Sequence, residues 1–173
     1  MATTVARARL DGMTLSGLEV IFNAYPMSGK RHHFGSRLLF ALDGTLLITL
    51  GDRGHRSWAQ DRTIHPGSVV RIWPTGAIPN DNPFVGDTQG GNAIFSYGHR
   101  NPQGLAMNPR TGEIWMHEHG PRGGDELNQL NAGVNYGWPV ISYGREYWSS
   151  ARVGEGTHKP GLAQPFHYWV PSI

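Results

Sequence analysis

A pair of histidines, His32 and His33, lies in a loop immediately before an apolar segment. A neutral imidazole is the side chain that most often acts as a general base near physiological pH. Either ring is therefore a candidate to take a proton from a substrate hydroxyl. A surface pair of histidines with no catalytic role fits the same spacing, so the pair alone does not decide.

The segment 97–104 places an imidazole, a guanidinium and two amides in one turn, with Arg100 and Asn101 at its centre. Guanidinium and amide groups donate hydrogen bonds that suit a ligand with carboxylates or carbonyls. The alternative is a hydrogen-bonded turn that only joins two strands. Both interpretations fit this segment equally well.

A third segment combines histidines, glycines and carboxylates. His117 and His119 are two residues apart on a predicted strand, so they face one side and would supply half of a zinc site. The stretch Gly120–Glu126 offers backbone carbonyls and carboxylates, the hard oxygen ligands that suit Ca²⁺. Acidic residues in the first turn of a helix explain Asp125 and Glu126 equally well.

The fourth segment, 131–139, holds glycines, an asparagine and the aromatic residues Tyr136 and Trp138. Such a segment is typical of a tight turn that packs its aromatic rings in the core. Aromatic rings also form platforms on which planar ligands stack. Turn formation and packing are the simpler interpretation of this segment taken alone.

The elements that position these groups are predicted to be strands, because apolar patterns of period two dominate and helical periodicity is almost absent. The Asp43-Gly44 pair between two apolar runs predicts a hairpin. One short helix is predicted near Asp125–Asn131. The predicted strand segments are 5–10, 18–23, 37–42, 45–50, 68–73, 93–97, 104–108, 113–117 and 140–143.

Two of the predicted hairpins repeat each other, with Leu38 in the first corresponding to Leu105 in the second, 67 positions later. Each hairpin runs into a glycine-containing loop with acidic residues nearby, 51–54 and 120–123. A repeated sheet unit of this size is typical of a β-propeller blade with long loops.

Composition bounds the class of protein. The 173 residues suit about one domain. Only 16% of them are charged, which argues against disorder, and the absence of cysteine excludes disulfides. No apolar run approaches the length of a transmembrane helix, and no secretory signal is visible. The formal net charge of +2 indicates neither a nucleic-acid nor a membrane partner.

In this order, the segments resemble the soluble sugar dehydrogenases that use pyrroloquinoline quinone, the glucose/sorbosone dehydrogenase family. The resemblance begins at Val5 and includes 33–38, 50–53 and 78–84. Its most specific parts are Gly-His-Arg-Asn-Pro-Gln-Gly-Leu at 98–105, Glu-x-Gly-Pro-x-Gly-Gly-Asp-Glu-x-Asn at 118–128 and Asn-Tyr-Gly-Trp-Pro at 135–139.

The resemblance implies an all-β fold, a six-bladed β-propeller that binds the quinone over its central channel. It implies oxidation of aldose sugars at the anomeric carbon to lactones, with hydride transfer to the quinone and an external electron acceptor. His33 matches the general base, and Arg100 and Asn101 match residues beside the reactive carbonyl. Trp169 and Ser172 fall near quinone-binding positions.

The resemblance also implies calcium. Gly120 and Pro121 match the backbone carbonyls that hold the cofactor's Ca²⁺. Glu126 and the carbonyl of Tyr136 match ligands of separate structural calcium, and Glu146 matches a further ligand less closely.

The family's full members are about twice this length, so residues 1–173 are expected to be a fragment with both ends truncated. It would hold roughly three blades, about half of the ring. Half a ring leaves two open sheet edges, which propellers avoid by closing. The isolated chain is therefore expected not to oxidise sugar at a family-like rate, and the parent family implies a periplasmic or secreted location.

Two other functions stay open at this stage. One is a non-catalytic propeller segment that binds carbohydrate or a protein partner. The other is a calcium-dependent hydrolase of the lactonase kind, which would need several carboxylates and amides around one central ion.

Overall fold

The computed structural model describes residues 1–172 and shows strands joined by long loops, with one short 3₁₀ turn at Arg56–Gln60. The ten strands are β1 (Thr4–Asp11), β2 (Thr14–Asn23), β3 (Leu38–Phe40), β4 (Leu46–Leu50), β5 (Ser68–Ile72), β6 (Ile94–Tyr97), β7 (Pro102–Met107), β8 (Ile114–Glu118), β9 (Asp125–Gln129) and β10 (His167–Trp169). In this part of the chain no helix is long and apolar enough to cross a membrane.

The strands form three antiparallel sheets. Strands β1 and β2 form a long hairpin, and the other two sheets have four strands each, in the orders β3-β4-β5-β6 and β7-β8-β9-β10. Each four-stranded sheet is thus a simple meander, and the two contact each other where β7 lies against β3 and β4. This is how neighbouring propeller blades pack, and the predicted all-β propeller fold is confirmed. The number of blades stays a prediction.

Apolar packing holds the first meander at the centre of the molecule. All five residues of β4 and all five of β5 are buried, so both faces of this sheet are covered. One face packs with Val5 and Phe22 of the long hairpin, and the other face packs with Leu105 and Met116 of the second meander. The first meander therefore fixes the second meander and the hairpin relative to each other.

The two predicted hairpins occupy the same place in their sheets. Leu38 starts β3 and pairs with Ile48, while Leu105 lies in β7 and pairs with Met116. The loop that enters the first strand and the loop that leaves the second strand of each meander lie at one end of the sheet. The first three segments that the sequence singled out therefore lie towards one end of the molecule. The fourth segment, 131–139, begins where the chain turns away after β9.

Two sequence predictions about elements are wrong. The segment predicted as a helix, 125–131, forms strand β9, because it pairs with β8 on one side and β10 on the other. Left-handed backbone at Gly123 and Gly124 turns the chain directly into this strand. The segment 140–143 forms no strand, only an isolated bridge between Ile141 and Gly156.

Away from the four segments, a buried arginine clamps the turns of the first meander. Arg71 lies in β5 and is 8% exposed. Its guanidinium donates to Asp43 Oδ2 at 2.7 Å and to Asp81 Oδ1 at 2.9 Å. Asp43 Oδ1 also accepts from the amide and hydroxyl of Thr45. The β3–β4 turn and the loop after β5 are therefore tied to one cation.

Replacing Asp43 with alanine is expected to lower the free energy of unfolding by about 1–2 kcal/mol at pH 7, the range of half-exposed charged hydrogen bonds. The Thr45 hydroxyl, more than Arg71, lowers the pKa of Asp43 to about 2 from 3.8. The stabilisation is therefore present above pH 3.8 and lost as the pH falls through 2. Denaturant unfolding of both proteins between pH 7 and pH 2 measures it.

Asp61 provides a matched control, because it accepts from the amide and hydroxyl of Thr63 in the same way. No arginine pairs with Asp61 among residues 1–172. D43A should therefore cost more than D61A at pH 7. Equal costs for the two variants would contradict a role for the arginine.

Candidate functional site

Loops from both meanders surround one open cavity of about 570 Å³, which we name the central cavity. It is lined by His33, Arg100, Asn101, His119, Gly120, Pro121, Arg122, Gly123, Asp125, Tyr147, Pro171 and Ser172. The imidazole, the guanidinium–amide pair and the Gly-Pro segment that the sequence singled out thus meet at one place. The lining is mostly polar, with hydrogen-bond donors in excess of carboxylates.

His33 is held by a buried carboxylate. Its Nδ1 lies 2.6 Å from Oδ1 of Asp52, which is 0% exposed. A carboxylate only accepts, so Nδ1 carries the proton and Nε2 is left as the basic nitrogen. Burial raises the pKa of Asp52, but hydrogen bonds from His33, the Gly54 amide and the Trp138 indole outweigh it and the pKa falls below its ordinary value. Asp52 is therefore ionised at neutral pH.

The backbone around His33 is close-packed and left-handed. His33 has a φ of 53°, and the next left-handed residues are Gly35 and Ser36. A Cβ at Gly35 would collide with the carbonyl of Thr49, and one at Gly51 would collide with the carbonyl of His33. Non-glycine residues in this region carry strain of about 1–3 kcal/mol. Glycines on both sides therefore let the loop fold tightly enough to seat the imidazole on Asp52.

Arg100 is positioned from behind by a buried network. Glu118, at the end of β8, accepts from the Arg100 amide at 2.6 Å and lies 3.0 Å from Nδ1 of His99. The other nitrogen of His99 lies 2.8 Å from the Ser96 hydroxyl, and its ring stacks on Tyr136 at 4.7 Å between centroids. Glu118 and His99 thus satisfy each other in the core. The Arg100 guanidinium is left to face the cavity.

The guanidinium of Arg100 makes only light contacts on the protein. Nη1 donates to the carbonyl of His119 at 3.1 Å, and Nη2 lies 3.3 Å from the Tyr147 hydroxyl. No carboxylate pairs with this guanidinium among residues 1–172. A buried cation without a counter-charge favours an anionic or carbonyl ligand in the adjoining cavity.

The loop 120–124 depends on glycine at positions 120 and 124. A Cβ at Gly120 would collide with the carbonyl of Gly124, and Gly124 itself has a φ of 77°. Asp125 accepts from the Gly120 amide at 2.9 Å, and the Trp169 carbonyl accepts from the Gly124 amide at 2.7 Å. Within residues 1–172 the carbonyl oxygens of Gly120 and Pro121 accept no hydrogen bond. They are therefore available to a hard cation.

A small cavity lies beside the central one and has room for about one water-sized occupant, roughly 10 Å³. Two carboxylates line it, Glu118 and Glu126, together with Tyr136. Burial, and then the charge of Glu118, raise the pKa of Glu126 to about 8. Two carboxylates around a space of this size suit a single divalent cation.

The structure places the remaining sequence-predicted residues as follows. Ser172 lines the central cavity and its hydroxyl lies 3.2 Å from Asp125. Trp169 is not among the lining residues, and it contributes its backbone carbonyl to the glycine loop. Both carboxylate oxygens of Glu146 accept from Arg56, at 2.6 and 2.7 Å. That ion pair competes with a metal for Glu146, whose role as a calcium ligand stays a prediction.

The two histidines considered for zinc lie in different surroundings. His117 lies over Gly104 of the neighbouring strand, whereas His119 lines the central cavity, 3.4 Å from Asp125. Across residues 1–172, no three side chains of His, Cys, Asp or Glu form a group that could hold a metal. A cation in this part of the chain would therefore need oxygen ligands besides these side chains, such as backbone carbonyls.

Sequence reasoning missed two positioning residues, Asp52 and Glu118. Asp52 follows β4, and its partners His33 and Trp138 are 19 and 86 residues away in sequence. Glu118 lies between His117 and His119, and only these two of the three residues were considered as ligands. One signal was available in the sequence. Both carboxylates lie at or just after the end of the second strand of a meander, next to a glycine-containing loop.

Comparison with known proteins decides the family. A family model described as Glucose / Sorbosone dehydrogenase matches residues 1–173. The chain belongs to the glucose/sorbosone dehydrogenase family. The aldose sugar dehydrogenase YliI of Escherichia coli K12 is 42% identical over 174 residues, which are 98% of this chain and 47% of that relative. The chain thus spans about half the length of the family members it matches.

Solved structures of family members confirm the fold. The soluble aldose sugar dehydrogenase of Escherichia coli in the apo-form has a TM-score of 0.94 at 40% identity, covering 98% of this chain and 50% of that one. The form of aldose sugar dehydrogenase from Streptomyces coelicolor with bound pyrroloquinoline quinone has a TM-score of 0.77 at 28% identity. That match covers 96% of this chain and 45% of the other.

Proposed function

We propose that this chain carries the base and part of the quinone site of an aldose dehydrogenase that uses pyrroloquinoline quinone and Ca²⁺ and oxidises the anomeric carbon to a lactone. The observation that carries the proposal is that His33, Arg100, Asn101, Gly120 and Pro121 line one cavity. Membership of the family and a relative with bound quinone support it. A periplasmic location and an external electron acceptor remain part of the same proposal.

The residues of the chain prepare a proton acceptor. Asp52 fixes the tautomer and orientation of His33, so Nε2 is free to take the proton of a substrate hydroxyl. The Trp138 indole donates to the other Asp52 oxygen at 2.8 Å and keeps the carboxylate in place. As the proton arrives, the Asp52 charge stabilises the imidazolium that forms on His33. General base assistance of this kind contributes about 10²–10⁴-fold.

The donor set of the central cavity fits the quinone and its metal. Arg100 and Asn101 would bind quinone oxygens, Ser172 would contribute a hydroxyl, and the Gly120 and Pro121 carbonyls would hold Ca²⁺. When bound, the quinone would supply a two-electron acceptor for the anomeric carbon. Arg100 would stabilise negative charge beside it without reorganisation, because the Glu118 network fixes the Arg100 backbone.

Calcium-dependent quinone binding tests the proposal directly. The quinone is titrated into the 173-residue chain with Ca²⁺ or with a chelator, and its absorbance spectrum is followed. We expect a saturable spectral change that requires calcium. A spectrum unchanged under both conditions would refute the proposal, and lactone hydrolysis without quinone would favour a calcium-dependent hydrolase instead.

Replacing Arg100 with alanine is expected to weaken quinone binding by about 10–100-fold, the loss of a charged hydrogen bond of about 1.5–3 kcal/mol. Lysine at this position keeps the charge without the planar fork, so R100K should recover only part of the affinity. Arg110, in an exposed turn outside the cavity, provides the matched control. The same absorbance titration gives the dissociation constant of the quinone for all three variants. Equal affinities for R100A and R110A would contradict the assignment.

A further inference from the structure

A second open space, which we name the outer cleft, is lined by His33 but not by the glycine loop 120–124, and it measures about 800 Å³. It shares His33, Arg100 and Tyr147 with the central cavity and adds residues of its own. The residues that matter here are Lys30, His32, Asp52, Arg56, Trp138 and Trp148. A ligand in this cleft would therefore lie against the proposed base.

The charges of the outer cleft do not balance. Its carboxylate, Asp52, is fully buried and already accepts from His33, Gly54 and Trp138. Arg56 is neutralised by Glu146. The remaining cations are Lys30 and Arg100, and no carboxylate pairs with either in the described part of the chain. The cleft thus keeps unpaired positive charge.

Lys30 is held at the cleft rather than free in solvent. Its ammonium group donates to the Gly54 carbonyl, and the Lys30 carbonyl accepts from Arg53. Burial, and then the charges of His33, Lys30 and Arg100, lower the pKa of His32 beside it, although Asp52 acts in the opposite direction. The positive potential therefore reaches the ring that lines the cleft. Clefts lined by one sign of charge concentrate ligands of the other sign.

The rest of the cleft presents aromatic surface. Trp148 is 77% exposed and Tyr147 is 59% exposed, and the Arg56 guanidinium lies between Trp138 and Trp148, 5.4 and 5.8 Å from the two rings. Aromatic faces with a few placed polar groups are typical of small-ligand sites. The Arg56 guanidinium, paired with Glu146, thus lies near both tryptophan rings on this side of the cleft.

We propose that the outer cleft selects aldoses that carry an anionic group, a carboxylate or a phosphate, and that Lys30 binds this group. The inference rests on the proposed function, because His33 would take the proton of the anomeric hydroxyl of the same molecule. Arg100 faces both spaces and would be engaged by the quinone, which leaves Lys30 as the cation for the substrate. An ammonium group binds such anions as a point charge.

The test compares D-glucuronate, D-glucose 6-phosphate and D-glucose by calorimetric titration into the chain already loaded with quinone and Ca²⁺. We expect the two anionic sugars to bind about tenfold more tightly than glucose at low salt, with a smaller ratio at 0.5 M NaCl. The K30M variant should bring the ratio close to one, and K30R should restore most of it. Lys159, an exposed lysine paired with Glu155 outside the cleft, gives the control K159M, which keeps the ratio.

Four results would overturn the inference. The first three are equal affinities for charged and neutral sugars, a ratio that K30M leaves unchanged, and displacement of the quinone by glucuronate, which would place the anion in the central cavity. Absence of all sugar binding also overturns it. If calcium-dependent quinone binding persists in that case, the cofactor half of the proposed function survives; if it is absent too, the proposed function fails as well.

Discussion

Replacing His33 with alanine is expected to slow sugar oxidation by about 10²–10⁴-fold, because the proton of the substrate hydroxyl would lose its acceptor. The measurement is a single turnover, in which glucose reduces quinone bound to the chain and the absorbance change is timed. One oxidation per chain is sufficient, so the readout works even where steady-state turnover is slow.

Asp52→Asn separates orientation from basicity. The amide can donate to Nδ1, so the imidazole can adopt the tautomer that turns its proton towards the substrate. D52N should therefore approach the loss seen in H33A, although His33 is still present. A control is His65, a partly buried histidine outside the cavity, whose Nδ1 accepts from the Tyr25 amide. H65N should keep the wild-type rate, and a rate for D52N equal to wild type would contradict the role of Asp52.

Replacing Glu126 with glutamine is expected to stabilise the metal-free protein at pH 8, by at most about 4 kcal/mol. The pKa of Glu126 is raised from 4.5 to about 8 by burial and by Glu118. The folded state therefore holds a proton that the unfolded state releases, and stability is lost as the pH rises from 4.5 through 8. A divalent cation between the two carboxylates would remove this penalty.

Thermal unfolding with Ca²⁺ or with a chelator at pH 8 measures both effects. Calcium should raise the melting temperature of the wild type and have little effect on E126Q. Glu155, an exposed residue paired with Lys159, gives the control E155Q, which should keep the calcium response. An equal calcium response in E126Q and wild type would contradict the calcium site at Glu126.

Much of the strand framework follows from local sequence. The Asp43-Gly44 pair between two apolar runs forms the turn between β3 and β4, and the run after it is β4. Turn chemistry and period-two burial act over a few residues, so one sequence is enough to reveal them. The prediction of a helix near 125–131 was wrong because it used only local sequence. Pairing with β8 and β10 outweighed acidic residues whose preference is only local.

The candidate site was predicted in its parts and not in its connections. His33, Arg100 and the Gly120-Pro121 pair were singled out by residue type and by resemblance, and they do line one cavity. Their supports were not visible. Glu146 was assigned to a metal by resemblance alone, whereas the fold sets both of its oxygens against Arg56, 90 residues earlier.

The sequence by itself determined the all-β class, the two equivalent hairpins and the loops that carry the chemistry, because each depends on neighbouring residues. Only the tertiary structure decided which carboxylate serves which group: Asp52 serves His33, Glu118 serves the Arg100 backbone, and none among residues 1–172 pairs with Lys30. Those pairings depend on how two meanders pack, which brings residues tens of positions apart within hydrogen-bond distance. Electrostatic roles follow distance in space, and distance along the chain does not report it.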